Sequence, residues 1–287
     1  QFTIEPAAAE FLKSIEGRVS VIAVAGKYRT GKSYLLNKLF LDKVGEAAPT
    51  KKVSGFRVGP TVNACTKGLW IWRQVFYSDK DPEHTTPIVI VDTEGLGAFD
   101  EEHNHDTKIL LLALLLSSLL VYNSVGPIDE NALSNLSLIV DLSKNLQIKR
   151  GEKEMDPDEL TQYFPSFLWV LRDFALRLED ADGNTLTQKD YLEKSLEEQS
   201  GVSDAAEAKN RVRRLVRQFF ADRDCHTVVR PVEDEKELQR LDEGDVALRS
   251  QFVTQIDSLR RKIMRKVKPK AMRGQLDVLF VDEAGQL

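Results

Sequence analysis

Gly26-Lys27-Tyr28-Arg29-Thr30-Gly31-Lys32-Ser33 follows the apolar, β-branched run Val19 to Ala25 (VSVIAVA) and leads into Ser33 to Phe40 (SYLLNKLF), which is spaced as a helix. A buried strand, G-x-x-x-x-G-K-[ST] and a helix, in that order, form a phosphate-binding loop in its required context. The glycines let several backbone N–H groups turn toward phosphate. The helix N-terminus behind them adds a positive dipole end. At that spacing Lys32 reaches the β- and γ-phosphates, and the Ser33 hydroxyl binds Mg²⁺. The expected fold is therefore an α/β P-loop NTPase.

The surrounding chain agrees with a mostly parallel central sheet flanked by helices on both faces. Leu69 to Tyr77 alternates and is rich in aromatics, which reads as a strand. Ile88 to Val91 (IVIV) and Phe167 to Leu171 (FLWVL) read as core strands, and Thr227 to Val229 as a last short one. The Leu/Ala/Ser run from Ile109 to Val121 is too short to span a bilayer, which needs about 20 apolar residues. It reads as a buried helix leading into a strand. Leu133, Leu136, Ile139, Val140 and Leu146 mark one face of a helix near 129–149. Thr187 with Asp190 fits a capping box. Further helices are expected over 205–220 and 245–266, and residues 42–68 read as long loops. The domain is drawn at 1–268. The composition changes after Pro269, so 269–287 is expected to be a tail that opens a further, helical domain.

Three more places join the loop. Asp92-Thr93-Glu94-Gly95 closes the IVIV strand, where an acidic residue holds Mg²⁺, usually through water. Gly95 there lets the backbone approach the γ-phosphate. Thr66 lies in the irregular segment before the aromatic strand and is placed to bind Mg²⁺ and sense the γ-phosphate. Arg172-Asp173 closes the FLWVL strand. A carboxylate there can accept two hydrogen bonds from a guanine edge. From spacing alone, a surface Arg–Asp pair at a strand end is the favoured explanation, and N-K-x-D, the usual guanine-reading motif, is missing.

The 287 residues include 42% apolar and 30% charged positions, enough for a sizeable core and unlike a disordered chain. A formal charge of -5 argues against nucleic acid as a general partner. Two cysteines, Cys65 and Cys225, without CxxC spacing fit a reducing, cytoplasmic compartment. Gln1 to Glu10 lack the basic start and apolar block of a secretory signal. His103 and His105 read as loop residues rather than metal ligands. Arg211, Arg213, Arg214 and Arg217 read as a solvated helix face, and Trp70 and Trp72 as strand packing.

At these places the sequence resembles the guanylate-binding proteins, a branch of the dynamin-like large GTPases. The likeness rests on residues 26–39 (GKYRTGKSYLLNKL), on Cys65-Thr66-Lys67-Gly68-Leu69-Trp70 and on Asp92-Thr93-Glu94-Gly95-Leu96-Gly97. Val170-Leu171-Arg172-Asp173-Phe174, the stretch LLSSLLVYNSVG up to Gly126, and Phe219-Phe220 with Arg230-Pro231-Val232 extend it. The resemblance implies Mg²⁺-dependent GTP hydrolysis by G domains that dimerise face to face on GTP, with Arg29 as an internal arginine finger. It implies that Glu94 helps organise the attacking water. It also implies that Arg172 and Asp173 read guanine, and that the stretch after Arg230 caps the base and helps form the dimer. Nucleotide contacts are thus expected from Gly26 through Tyr34, Thr66, Asp92 through Leu96, Arg172 and Asp173. Arg29, Lys32, Thr66 and Glu94 are the catalytic set, and Ser33, Thr66 and Asp92 the metal set. Membrane association is expected only through a C-terminal part beyond this chain. One departure stands out: Ala64 occupies the place, two before the switch threonine, where family members often carry a hydroxyl. It motivates an alternative, a slow-hydrolysing, nucleotide-gated binding module.

Overall fold

The computed structural model describes residues 3–41, 55–58, 68–77, 86–97, 103–136, 149–150, 153–154, 164–200, 203–241 and 246–268. The chain opens with α1 (Pro6–Lys13) and β1 (Ser20–Ala25), then α2 (Lys32–Leu36) running on into a π turn (Asn37–Leu41). Next come β2 (Leu69–Ile71), β3 (Phe76–Tyr77), β4 (Pro87–Thr93), α3 (His103–Leu116), β5 (Leu119–Val125) and α4 (Glu130–Ser134). A small hairpin of β6 (Lys149–Arg150) and β7 (Lys153–Glu154) precedes β8 (Ser166–Arg172). The last described elements are α5 (Gln188–Ser195), α6 (Asp204–Phe219), β9 (Arg223–Val228), α7 (Glu235–Gln239) and α8 (Ser250–Lys266).

The sheet order is β2-β4-β1-β5-β8-β9, with β3 also on β4. The pairs among β4, β1, β5, β8 and β9 are all parallel, and β2 and β3 run antiparallel at one edge. Every residue of β1 and β8 is buried, which is why these strands read as continuous apolar runs. Alternate residues serve opposite faces. Val21, Ala23, Leu120, Tyr122, Phe167 and Trp169 share one core with the buried faces of α3, α5 and α6. Ile22, Val24, Val121, Leu168 and Val170 share the other with α2 and α8. Each fully buried side chain of this size contributes about 1.5–3 kcal/mol. β1 lies between β4 and β5, so the chain leaves β1 toward one neighbour and returns on its other side. Ligands of open α/β sheets bind at the carboxyl ends of strands at such a reversal.

Two local expectations are borne out. Thr187 and Asp190 form a complete capping box on α5. The Leu-rich run divides into the end of α3 and the buried strand β5. Among the described residues no helix is long and apolar enough to cross a membrane. Others change. The single strand expected over Leu69 to Tyr77 is two pieces on β4. From Ile71↔Val91 to Phe76↔Ile88 one chain advances 76 − 71 = 5 residues while β4 advances 91 − 88 = 3, so two extra residues bulge and interrupt the ladder. His103 and His105 lie in the first turn of α3, not in a loop. Arg213 is not solvated. It is 2% exposed, and its guanidinium donates to Glu130, Asn210 Oδ1 and the Ser195 carbonyl, tying α6 to α4. Of the helix expected near 129–149, α4 ends at Ser134 in a turn through Leu136 and Lys149 lies in β6, while residues 137–148 and the tail 269–287 lie outside the described residues.

His226 on β9 is 3% exposed, with Nε2 at 3.0 Å from the Gln255 carbonyl oxygen. Burial, helped by the Lys262 ammonium, pushes its pKa down to about 4, against the pull of the Gln255 hydrogen bond and Asp224. The unfolded chain then binds a proton near pH 6.5 that the folded one refuses, so stability is full above pH 6.5 and falls as pH drops toward 4. Urea unfolding at pH 7 and pH 4.5 should show a loss from this group of up to about 3 kcal/mol. A His226→Gln variant should lack that component, and equal slopes for the two proteins would refute the assignment.

Candidate functional site

Residues 26–33 turn at the carboxyl end of β1. Gly26 has φ 149°, and a Cβ placed on it would lie 2.1 Å from the Asn123 carbonyl oxygen of β5. Glycine is required here both by torsion and by space. Arg29 takes φ 60° without being glycine, and Gly31 takes φ 76° as the N-cap of α2. A non-glycine residue in this region carries strain, which accumulates at functional sites. The loop is internally braced: the Thr30 hydroxyl donates to the Lys27 carbonyl at 2.8 Å, and Lys32 Nζ reaches the same oxygen at 3.3 Å. Arg29 is exposed, its guanidinium 5.8 Å from the centre of the Tyr28 ring.

Lys32 is 6% exposed. Burial lowers its pKa, while the nearby Asp92 and Glu94 carboxylates act to keep it charged. Ser33 Oγ donates to Asp92 Oδ2 at 2.5 Å. Two oxygen donors on the α2 N-terminus and the end of β4 therefore meet beside a buried ammonium. This set suits a hard divalent cation that keeps several of its waters. Among the described residues no cluster of three His, Cys, Asp or Glu offers a site of another type.

The turn after β4 is bonded to the loop. Tyr28 N–H donates to the Leu96 carbonyl at 2.9 Å, and Leu96 N–H to the Gly26 carbonyl at 3.1 Å. Gly95 is the second glycine that space requires, because a Cβ there would meet Tyr28 Cα at 2.4 Å. The Thr93 hydroxyl is fully buried and donates to the Val24 carbonyl, so it supports the strand end rather than facing the site. Glu94, 4% exposed, accepts the Gly68 N–H at 2.7 Å and donates its own N–H to the Gly68 carbonyl at 2.8 Å. This pair couples the turn to the exit of the segment that carries Thr66. Thr66 and Ala64 themselves lie outside the described residues.

Arg172 and Asp173 point different ways. Arg172 is 5% exposed, so the surface-pair explanation fails for it. Its guanidinium lies over the Phe252 ring at 5.8 Å, and Nη1 is 3.6 Å from a Cβ placed on Gly31. Burial lowers its pKa, against the attraction of Asp173. Nε and Nη1 have no hydrogen-bond partner among the described residues, and of these Nη1 is the one that lies beside Gly31. Asp173 is exposed with φ 55°, a torsion that aspartate tolerates better than most residues. It lines a cavity of about 900 Å³ with Phe174, Leu178, Arg230, Arg249 and Gln255. Arg230 pairs with Glu235 at 2.8 Å, which braces the chain after β9 at the cavity rim.

The sequence model of the family described as guanylate-binding protein, N-terminal domain, matches residues 1–272. The chain belongs to that family. Human guanylate-binding protein 4 is 36% identical over 297 residues, covering 98% of this chain and 44% of that protein. Human guanylate-binding protein 3 is 38% identical over 282 residues, covering 97% and 45%. Human guanylate-binding protein 1 is 38% identical over 279 residues, covering 95% and 45%. The chain thus spans less than half the length of these relatives.

Within this guanylate-binding protein domain the structure brings together Gly26 through Ser33, Asp92 and Glu94, with Arg172 beneath the loop. Tyr34 is buried, its ring 6.5 Å from that of Phe252, the ring over which Arg172 also lies. Sequence reasoning missed Asn123, which touches the loop at two points. It also missed Asp106, whose Oδ2 accepts the Gly97 N–H at 2.5 Å and ties the turn to α3. A lone asparagine in a strand and a lone aspartate in a helix carry no motif. Only their contacts identify them.

Proposed function

We propose that this chain is the GTP-binding and GTP-hydrolysing domain of a large GTPase, working with Mg²⁺ and as a nucleotide-dependent pair of G domains. The observation that carries this reading is the meeting of Lys32, Ser33 and Asp92 under a strained glycine loop. Lys32 and the loop amides would hold the β- and γ-phosphates, and Ser33, Asp92 and Thr66 would hold the metal. The bound Mg²⁺ would neutralise charge developing on the phosphate oxygens. Asp173, exposed at the cavity, would accept from the guanine edge, with the segment after Arg230 covering the base. Arg172, buried beneath Gly31, would support base and loop from below. Glu94 would pass its hold on Gly68 to the water that attacks. Arg29, exposed on the loop, would turn onto the phosphates when two copies meet.

Human relatives are named for binding guanylate, in keeping with guanine as the base. A site built around that edge rejects adenine strongly, because mismatched donors leave buried groups unpaired. The test is single-turnover cleavage of GTP and ATP at rising protein concentration. The expected outcome is GTP cleavage whose rate climbs with concentration and negligible use of ATP. A flat, near-background GTP rate would support instead the binding module that Ala64 suggests. Equal use of ATP would remove Asp173 from its role.

A further inference from the structure

Asn123 is fully buried near the end of β5, beside the start of the phosphate loop. Its backbone carbonyl closes the space over Gly26. Its side-chain Nδ2 donates to the Thr30 carbonyl at 2.9 Å. Its Oδ1 has no partner among the described residues. An unsatisfied buried acceptor is a standing cost that an apolar residue of this size would not carry. The residues that precede it, Val121 and Tyr122, pack in the two cores.

We propose that Asn123 is a positioning residue of the phosphate loop, holding the Thr30 carbonyl so that the Gly31 N–H faces the phosphate. The peptide between Thr30 and Gly31 is planar and trans, so its C=O and N–H point in opposite directions. Drawing the C=O toward β5 therefore turns the Gly31 N–H toward the loop's concave side. The flanking torsions do not do this unaided, because glycine accepts either sign of φ and the peptide can flip. The Thr30 hydroxyl bonds to Lys27 within the same loop and moves with it. Asn123 links the peptide to the rigid sheet. Consecutive amides aimed inward form an anion-binding nest, and one reversed amide puts a carbonyl oxygen where the phosphate belongs. Arg29, one residue earlier, is carried by the same anchor. The inference rests on the GTP reading above.

Two variants, Asn123→Asp and Asn123→Ala, separate this role from space filling. The probe is a fluorescent GDP, with binding measured at pH 8 and pH 6 and thermal unfolding followed without nucleotide. Asparagine and aspartate have the same size, but a carboxylate cannot donate to Thr30. Positioning predicts that Asp weakens binding at pH 8 by about 100-fold and Ala by about 10-fold, a tenfold step for each 1.4 kcal/mol. Burial raises the pKa of the introduced carboxyl, and its protonated form donates again. Relative to wild type, the Asp variant should therefore regain affinity at pH 6. Space filling predicts the reverse order, Ala worse than Asp, with no pH dependence and with losses that follow the melting temperature. That result, or unchanged affinity in both variants, overturns the proposal. Wild-type protein that takes up no guanine nucleotide overturns the GTP reading itself, a separate outcome.

Discussion

Replacing Lys32 with methionine is expected to weaken GTP binding by about 10²- to 10³-fold, the cost of removing one partner from a desolvated charge contact. Methionine keeps the apolar stem and deletes the ammonium. In the wild-type site the ammonium is almost wholly buried between Asp92, Glu94 and the Lys27 carbonyl. Burial already acts against its charge, so the cation is retained at a cost that a structural role would not require. The apo domain should melt somewhat lower, because two carboxylates lose their neighbour, but it should remain folded. Calorimetric titration with GTP on variant protein of native circular dichroism is the measurement. Affinity within threefold of wild type would remove Lys32 from the phosphate site.

Arg29→Ala is expected to leave GTP binding nearly unchanged and to slow turnover by about 10³-fold, at the lower end of what an arginine supplied to phosphoryl transfer is worth. Arg29 is exposed and rests near the Tyr28 ring, so removing its side chain opens no space in the core. Its backbone already occupies the left-handed region, where alanine fares about as well, so the loop should keep its shape. The effect should therefore fall on kcat and not on Kd. It should be large where wild-type protein pairs and small at concentrations where wild-type protein is monomeric. Unchanged turnover at high concentration would show that the finger lies elsewhere.

The parts of this molecule legible in the sequence were those written in local spacing. The strand, loop and helix from 19 to 40 needed no distant residue, and the capping box at Thr187 is complete within four positions. The parallel sheet was legible because strands buried on both faces are apolar throughout. What escaped depends on contacts between distant segments. Arg213 has the spacing of a solvated helix face, and only the approach of Glu130 from α4 shows that it is buried. Arg172 stands beside an exposed aspartate, and its own burial comes from Phe252 on α8. The break between β2 and β3 follows from a mismatch with β4 that neither strand shows alone. Asn123 meets Thr30 across 93 residues of chain, which no motif encodes.

Position 26 is barred to side chains for two unrelated reasons, the torsion of 149° and the Asn123 oxygen 2.1 Å from any Cβ. A compensating change that moved β5 aside would leave the torsion, and one that relaxed the torsion would leave the collision. Selection for regained function from Gly26→Ala is accordingly expected to return revertants of the codon itself rather than single second-site suppressors.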